Sequence, residues 1–352
     1  MRESVREHVT AGVGVIDLDR PSALNALDLA MVRRMTDTLT RWRADPAVRS
    51  VVVRSTSPKA FCAGGDIRAM RDAGMAGDDA AVRTYFSEEY ALDLLIARYP
   101  KPYTALIDGY AMGGGLGISV HGSARVVTER ASLAMPESAI GFFPDIGASY
   151  FLPRLPGAVG RWLGLTGTRI GGAAAVECGL ATHYVPAAEL PALEAGLLGG
   201  GEPAATLDLF AAPAPVSEIA GRRAVIDRCF GAPDLAGVRE RLAAEAGGTE
   251  TGGTEAGGAE TGGAEAGGAE TGGAEEDREW AAETLAVLDG ASPMSLRITW
   301  DLLRAGEGAT LEDCLARELE LAVRTAREPD FHEGVRALLV DKDRRPAWSS
   351  RG

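Results

Sequence analysis

The chain predicts an α/β protein with a helical second half, and three observations carry that prediction. From Val13 to about Pro186 short β-branched runs alternate with helical patterns, the arrangement that an α/β architecture requires. Beyond Ala187 the strand signals fade and helical spacing takes over. Two glycine-rich turns, Phe61-Cys62-Ala63-Gly64-Gly65-Asp66-Ile67 and Asp108-Gly109-Tyr110-Ala111-Met112-Gly113-Gly114-Gly115, each lie between a β-branched run and a helix-like segment.

In chain order, Val13–Leu18, Val51–Arg54, Thr104–Ile107, Arg125–Thr128 and His183–Val185 read as strands because they are short, β-branched and bounded by turn residues. Asp28–Trp42 reads as a helix: Leu29, Val32, Met35 and Leu39 recur at helical spacing, Asp28 or Asn25 stands near its start and Pro46 lies beyond its end. Val225–Ala244, Glu279–Leu288, Leu296–Leu303 and Leu311–Arg327 read as helices of the second half. Between them, Gly247 to Glu276 repeats Gly-Gly-(Thr/Ala)-Glu-(Thr/Ala). A tract without a large apolar side chain buries too little surface to offset chain entropy, so it is expected to be a disordered surface insertion. The expected organisation is a catalytic core over 1–195, a helical region over 196–246, the insertion over 247–276 and a C-terminal helical region over 277–352.

Bulk properties exclude several classes. A hydrophobic content of 46% over 352 residues is ample for a core. The net charge of −14, with no long basic stripe, argues against nucleic acid. No apolar run approaches the roughly 20 residues that span a bilayer, so neither a membrane partner nor a cleaved signal is expected. Cys62, Cys178, Cys229 and Cys314 show no CxxC spacing, which argues against a disulfide framework or a zinc site and favours a reduced cytoplasm.

The chemistry sits in the turns. Glycine permits positive φ and close approach of a ligand to the backbone, and unblocked N–H groups before a helix are donors without partners. Two of them converging on one oxygen make an oxyanion hole. The acidic segment Met135-Pro136-Glu137 follows, with Asp145 eight residues on inside Phe142-Phe143-Pro144-Asp145. Glu137 suits either nucleophilic attack on an acyl carbon or activation of water, and it also suits capping of the next helix. Apolar neighbours would raise the pKa of Asp145 and let it share a proton with a substrate hydroxyl or a leaving thiol; Pro-Asp is also a common turn dipeptide. Structural roles are expected for His121 and His183, and packing for Cys62. Lys59 and Arg68, flanking the first turn, suit phosphates or exposed ion pairs.

These motifs resemble the crotonase (enoyl-CoA hydratase/isomerase) superfamily, and within it the 3-hydroxyisobutyryl-CoA hydrolases of valine breakdown. The family's opening pattern is seen in Leu18-Asp19-Arg20-Pro21-Ser22-Ala23-Leu24-Asn25-Ala26-Leu27. The hydrolase branch is seen in Glu88-Glu89-Tyr90, Lys101-Pro102-Tyr103, Ser119-Val120-His121-Gly122, Ala134 to Gly147, and Asp330-Phe331-His332-Glu333-Gly334.

The resemblance implies a crotonase-like ββα superhelix core and an acyl-CoA thioesterase. Gly65 and Gly114 would hold the thioester oxygen, and Glu137 and Asp145 would be catalytic. Glu89, Ala63, Asp66 and Ile67 would line the substrate site with Gly114, Glu137 and Asp145, a wet helix face being the other reading of Glu88-Glu89-Tyr90. No metal or redox cofactor is implied, coenzyme A being part of the substrate. Relatives assemble as trimers or paired trimers, which makes a homo-oligomer one expectation and a tail folded back on its own core the other. Hydratases of the superfamily carry a second glutamate three residues beyond the position of Gly114, where this chain has Gly117, so hydrolase chemistry is favoured. An isomerase or hydratase, and a non-catalytic acyl-CoA-binding protein, are the alternatives.

Overall fold

The computed structural model describes residues 4–247 and 267–349. Its strands are β1 Val5–Thr10, β2 Val13–Leu18, β3 Ser50–Ser55, β4 Ala60–Cys62, β5 Tyr103–Ile107, β6 Tyr110–Met112, β7 Ala124–Val127, β8 Ser132–Ala134, β9 Ile170–Gly171 and β10 His183–Tyr184. A six-stranded sheet runs β1-β2-β3-β5-β7-β10, antiparallel at its β1 edge and parallel thereafter. All six residues of β2 are buried, as expected of an inner strand covered on both faces.

A second sheet, β4-β6-β8-β9, positions the site. Its first three strands are parallel and three residues long. Their carboxyl ends deliver, side by side, the turns beginning at Ala63 and at Gly113 and the segment Met135-Pro136-Glu137. Three residues are too few to show a period of two, which is why these strands were not legible beforehand.

Helix α1, Leu29–Ala44, starts where expected, with the Asp28 carboxylate accepting from the Met31 N–H at 2.9 Å. It buries Met31, Val32, Met35, Leu39 and Trp42. Then follow α2 Ile67–Met75, α3 Asp79–Ala97 and α4 Gly114–Val120. The helix predicted over 225–244 is two, Arg223–Phe230 and Leu235–Gly247, interrupted by Gly231-Ala232-Pro233-Asp234, where proline withholds a donor and disfavours helix in the residue before it.

Of the predicted insertion, residues 248–266 lie outside the described residues. The helix Gly267–Gly290 takes in 267–276, where no structure was expected; propagating a helix already packed through Trp280 and Ala281 costs far less than nucleating one. The helices Pro293–Gly306, Leu311–Thr325 and Pro329–Val335 fold back on the core. Main chain meets main chain there: a Cβ on Gly141 would lie 2.1 Å from the Asp330 carbonyl oxygen, and one on Gly306 would lie 1.7 Å from that of Ser149. The C-terminal region therefore buttresses the segment from Glu137 to Ser149.

Candidate active site

The first turn is fixed by the loop before α1. Leu27 N–H donates to the Gly64 carbonyl at 2.8 Å and Asp66 N–H donates to the Leu27 carbonyl at 2.9 Å. With the groups on either side of Gly65 turned toward Leu27, the Gly65 N–H faces the other way. Asn25, wholly buried, keeps that loop in place: its amide donates to Ser55 Oγ at 2.7 Å and to the Phe61 carbonyl at 3.0 Å.

The second turn enters α4 through Gly113 at φ 45°, a left-handed value that favours glycine. The Gly65 amide nitrogen lies 3.3 Å from where a Cβ on Gly114 would stand. Ala63, Asp66, Gly113, Leu116 and Gly117 each donate to a backbone carbonyl, whereas among the described residues no such bond is formed by the N–H of Gly65 or Gly114. Two neighbouring, unpaired donors are what a developing oxyanion requires.

Carboxyl groups surround them. Glu137 opens the 3-10 turn Glu137–Ile140 and is 7% exposed. Its Oε2 has no hydrogen-bond partner, and its Oε1 lies 2.5 Å from the position of a Cβ on Gly113, so the carboxyl turns to the glycine turn rather than capping its own helix. Burial, then Asp145, pushes its pKa well above the usual carboxylate range, its own backbone N–H opposing.

Asp145, 6% exposed, accepts from the Tyr90 hydroxyl at 2.7 Å. That bond favours the ion, but burial outweighs it and Asp145 is pushed up to about 7. Glu89, 2% exposed, places Oε1 2.5 Å from the Cβ position of Gly114 with no hydrogen-bond partner. Burial raises its pKa well above the usual range, Asp145 adding to this and Tyr85 opposing it.

The Glu88-Glu89-Tyr90 stretch thus divides. Glu88 is on the wet face, paired with Arg33 at 2.7 Å, and its two neighbours point into the site. Of the other predicted lining residues, Ala63 and Ile67 flank the turn half-buried, while Asp66 is held by Arg20 at 3.1 Å. A cleft of ≈ 450 Å³ lined by Leu29, Asp66, Ala69, Met70, Thr84 and Tyr85 adjoins the turn. Lys59 is exposed, and Arg68 donates to the Leu339 carbonyl.

Three groups near the site escaped the sequence reading: the Tyr90 hydroxyl, Asp93 and Glu318. Asp93 is wholly buried against Gly117, and neither of its oxygens has a partner. A signal existed, since Val82, Tyr85, Phe86, Glu89, Asp93 and Ile96 form one stripe at helical spacing and a carboxyl on such a stripe must be buried. Cys62 is fully buried with its thiol pushed up to about 12 by burial, which fits packing and not nucleophilic chemistry. His121 Nε2 lies 2.8 Å from the Ile146 carbonyl oxygen, and burial pushes its pKa down to about 4. Among the described residues no group of three His, Cys, Asp or Glu side chains is arranged to hold a metal ion, and no helix is long and apolar enough to cross a membrane.

The buried acids make stability depend on pH. Burial pushes Glu318 up to about 8, and Asp145 to about 7, so the folded state keeps protons that the unfolded chain, with carboxyl pKa values near 4, releases. Unfolding free energy then falls as pH rises toward 8. His121 works in the opposite sense, but only between about 4 and its ordinary value near 6.5. Thermal midpoints are therefore expected to fall between pH 6.5 and 8; a flat or rising midpoint over that interval contradicts the assignment.

The profile of the family described as enoyl-CoA hydratase/isomerase matches residues 13–352. The chain belongs to this family. It is 40% identical over 346 residues to the mitochondrial 3-hydroxyisobutyryl-CoA hydrolase of Xenopus tropicalis, covering 96% of this chain and 82% of that protein. It is 38% identical over 345 residues to the human protein of that name, covering 95% and 81%. A solved structure titled carnitinyl-CoA dehydratase, from Mycobacterium thermoresistibile, superposes with a TM-score of 0.85 at 34% identity over 99% of this chain and 92% of that one. One titled enoyl-CoA hydratase, from Rhodobacter sphaeroides, gives 0.84 at 37% identity over 99% and 93%.

The crotonase family, its 3-hydroxyisobutyryl-CoA hydrolase branch and the crotonase fold are thus as the sequence motifs implied. The cytoplasmic location is not. The Xenopus and human relatives are named mitochondrial, which overturns it. Cys62, Cys178, Cys229 and Cys314 are free and buried, which does not say which compartment holds the protein.

Proposed function

We propose that this protein is an acyl-CoA thioesterase that converts 3-hydroxyisobutyryl-CoA and water to 3-hydroxyisobutyrate and coenzyme A. The observation that carries the chemistry is the pair of unpaired amides, Gly65 and Gly114, beside a buried carboxyl, Glu137, with one free oxygen. The substrate follows from the relatives named for that activity.

The thioester oxygen accepts from both amides, and the charge that develops on it is held by donors that need no reorganisation. Glu137 then acts through its ionised form, which burial makes less populated and more basic, in one of two ways. As nucleophile it bonds to the acyl carbon, the C–S bond breaks, the thiolate takes a proton, and water opens the resulting anhydride to the acid and the free carboxylate. As base it takes a proton from water while that water attacks, and the proton passes to the departing sulfur. Both routes consume one thioester and one water, and neither calls for a metal or redox cofactor. Asp145, with a pKa near neutrality, suits donation to sulfur or a hydrogen bond to the 3-hydroxyl. Glu89 borders Gly114 and shapes the acyl pocket.

Two solved neighbours are titled as hydratase and dehydratase, which sustains a second reading. Against it, the α4 position that would carry a second glutamate is Gly117, and addition of water across a double bond uses two placed acid/base groups. A panel of 3-hydroxyacyl, enoyl and saturated CoA esters separates the readings. Thiol release with 3-hydroxyisobutyryl-CoA is expected; consumption of the enoyl ester without thiol release supports the hydratase, and binding without turnover supports a non-catalytic protein.

A further inference from the structure

The turn that carries Asp145 is fastened by a residue far along the chain. Asp145 is followed by Ile146 at φ 56° and Gly147 at φ 82°. A β-branched residue in the left-handed region is strained and persists only where its surroundings over-determine it. Three groups do so. The Tyr90 hydroxyl donates to Asp145 Oδ2. His121 Nε2 lies 2.8 Å from the Ile146 carbonyl oxygen, to which it donates. The third is Glu318, 0% exposed, on the helix Leu311–Thr325. Its Oε2 accepts from the Gly147 N–H at 2.7 Å, and its Oε1 accepts from the Ser149 N–H at 3.0 Å and the Ser149 hydroxyl at 2.5 Å.

A buried carboxyl group whose two oxygens take three contacts from one turn holds that turn at both its Gly147 and Ser149 ends. We propose that Glu318 is a positioning residue for the reaction: by binding Gly147 and Ser149 it fixes the strained 145–149 turn and so the direction of the Asp145 carboxyl. This rests on the role given to Asp145 above. It assigns to the C-terminal helices a part in the chemistry beyond closing the core.

The test is a double-mutant cycle on the full chain, following thiol release from 3-hydroxyisobutyryl-CoA, with Glu137→Gln as blank. Glutamine offers one acceptor oxygen where Glu318 offers two, so one donor of the turn is left unpaired whichever way the amide lies. Misplacing a catalytic group by about 1 Å costs up to ~100-fold, so Glu318→Gln is expected to lower kcat by about 10- to 100-fold with KM within about twofold. In an Asp145→Asn background the same change is expected to cost less than about twofold, because a residue acting through Asp145 has nothing left to position.

An equal loss in both backgrounds, an unaltered kcat, or a rise in KM alone overturns the inference while leaving the thioesterase reading intact. Asp145→Asn with wild-type activity instead removes the role of Asp145, and this inference with it. Where Asp145→Asn falls to the blank, the kcat-against-KM split decides. Should Glu318→Gln not fold, Ser149→Ala removes the shortest of the three contacts, keeps both backbone ones, and is expected to repeat the pattern with a smaller loss.

Discussion

Replacing Glu137 with glutamine is expected to lower kcat for thiol release by about 1,000-fold or more, which corresponds to roughly 4 kcal/mol of lost transition-state stabilisation. The amide matches the carboxyl in size, so the glycine turn it faces at Gly113 is left in place. What is lost is the anion, required both for attack on the acyl carbon and for removal of a proton from water. The folded state gains no stability from charging this group, because burial and Asp145 both raise its pKa. Unfolding free energy in Glu137→Gln is therefore expected to stay level or rise, which separates a catalytic loss from a folding one. Retention of more than about a tenth of the wild-type kcat would falsify the assignment of Glu137.

Gly114→Ala is the second large effect, and it sets two contributions against each other. Alanine is favoured over glycine within a helix by up to about 1 kcal/mol, and Gly114 is the first residue of α4, so the change stabilises the helix if anything. The added methyl, however, would stand 2.5 Å from Glu89 Oε1 and 3.3 Å from the Gly65 nitrogen, in the space that the thioester oxygen needs. Glu89 is buried and has little room to withdraw. Loss of one oxyanion donor costs about 100- to 1,000-fold, and obstructing the approach to both is expected to cost kcat/KM at least the lower of these. The overlap offsets the gain in helix propensity, so the variant is expected to fold but melt somewhat lower, with activity lost far beyond what that implies; one with kcat/KM near wild type places the reacting oxygen elsewhere.

Much of the architecture was open to reading along the chain. Leu29, Val32, Met35 and Leu39 mark one face of α1, and the long strands β2, β3 and β5 show themselves as β-branched runs, because burial on one face or on both imposes a pattern local in sequence. The segments of the site were legible for a similar reason. Gly64-Gly65, Gly113-Gly114-Gly115 and Met135-Pro136-Glu137 each carry a backbone or carboxyl requirement that few residues meet. Glu89 stood beside an exposed Glu88, and only its place on the buried stripe of α3 tells the two apart.

The fold class, the two glycine turns and the acid after them were legible in the chain, since each depends on the conformational and chemical limits of a few neighbouring residues. The tertiary structure alone decided which acids share one dry volume. Glu89 and Asp93 reach it from α3, Glu137 and Asp145 from the segment after β8, and Glu318 from more than 170 residues beyond Gly147. Their raised pKa values arise from burial and mutual repulsion, which depend on distances through space that no local pattern encodes.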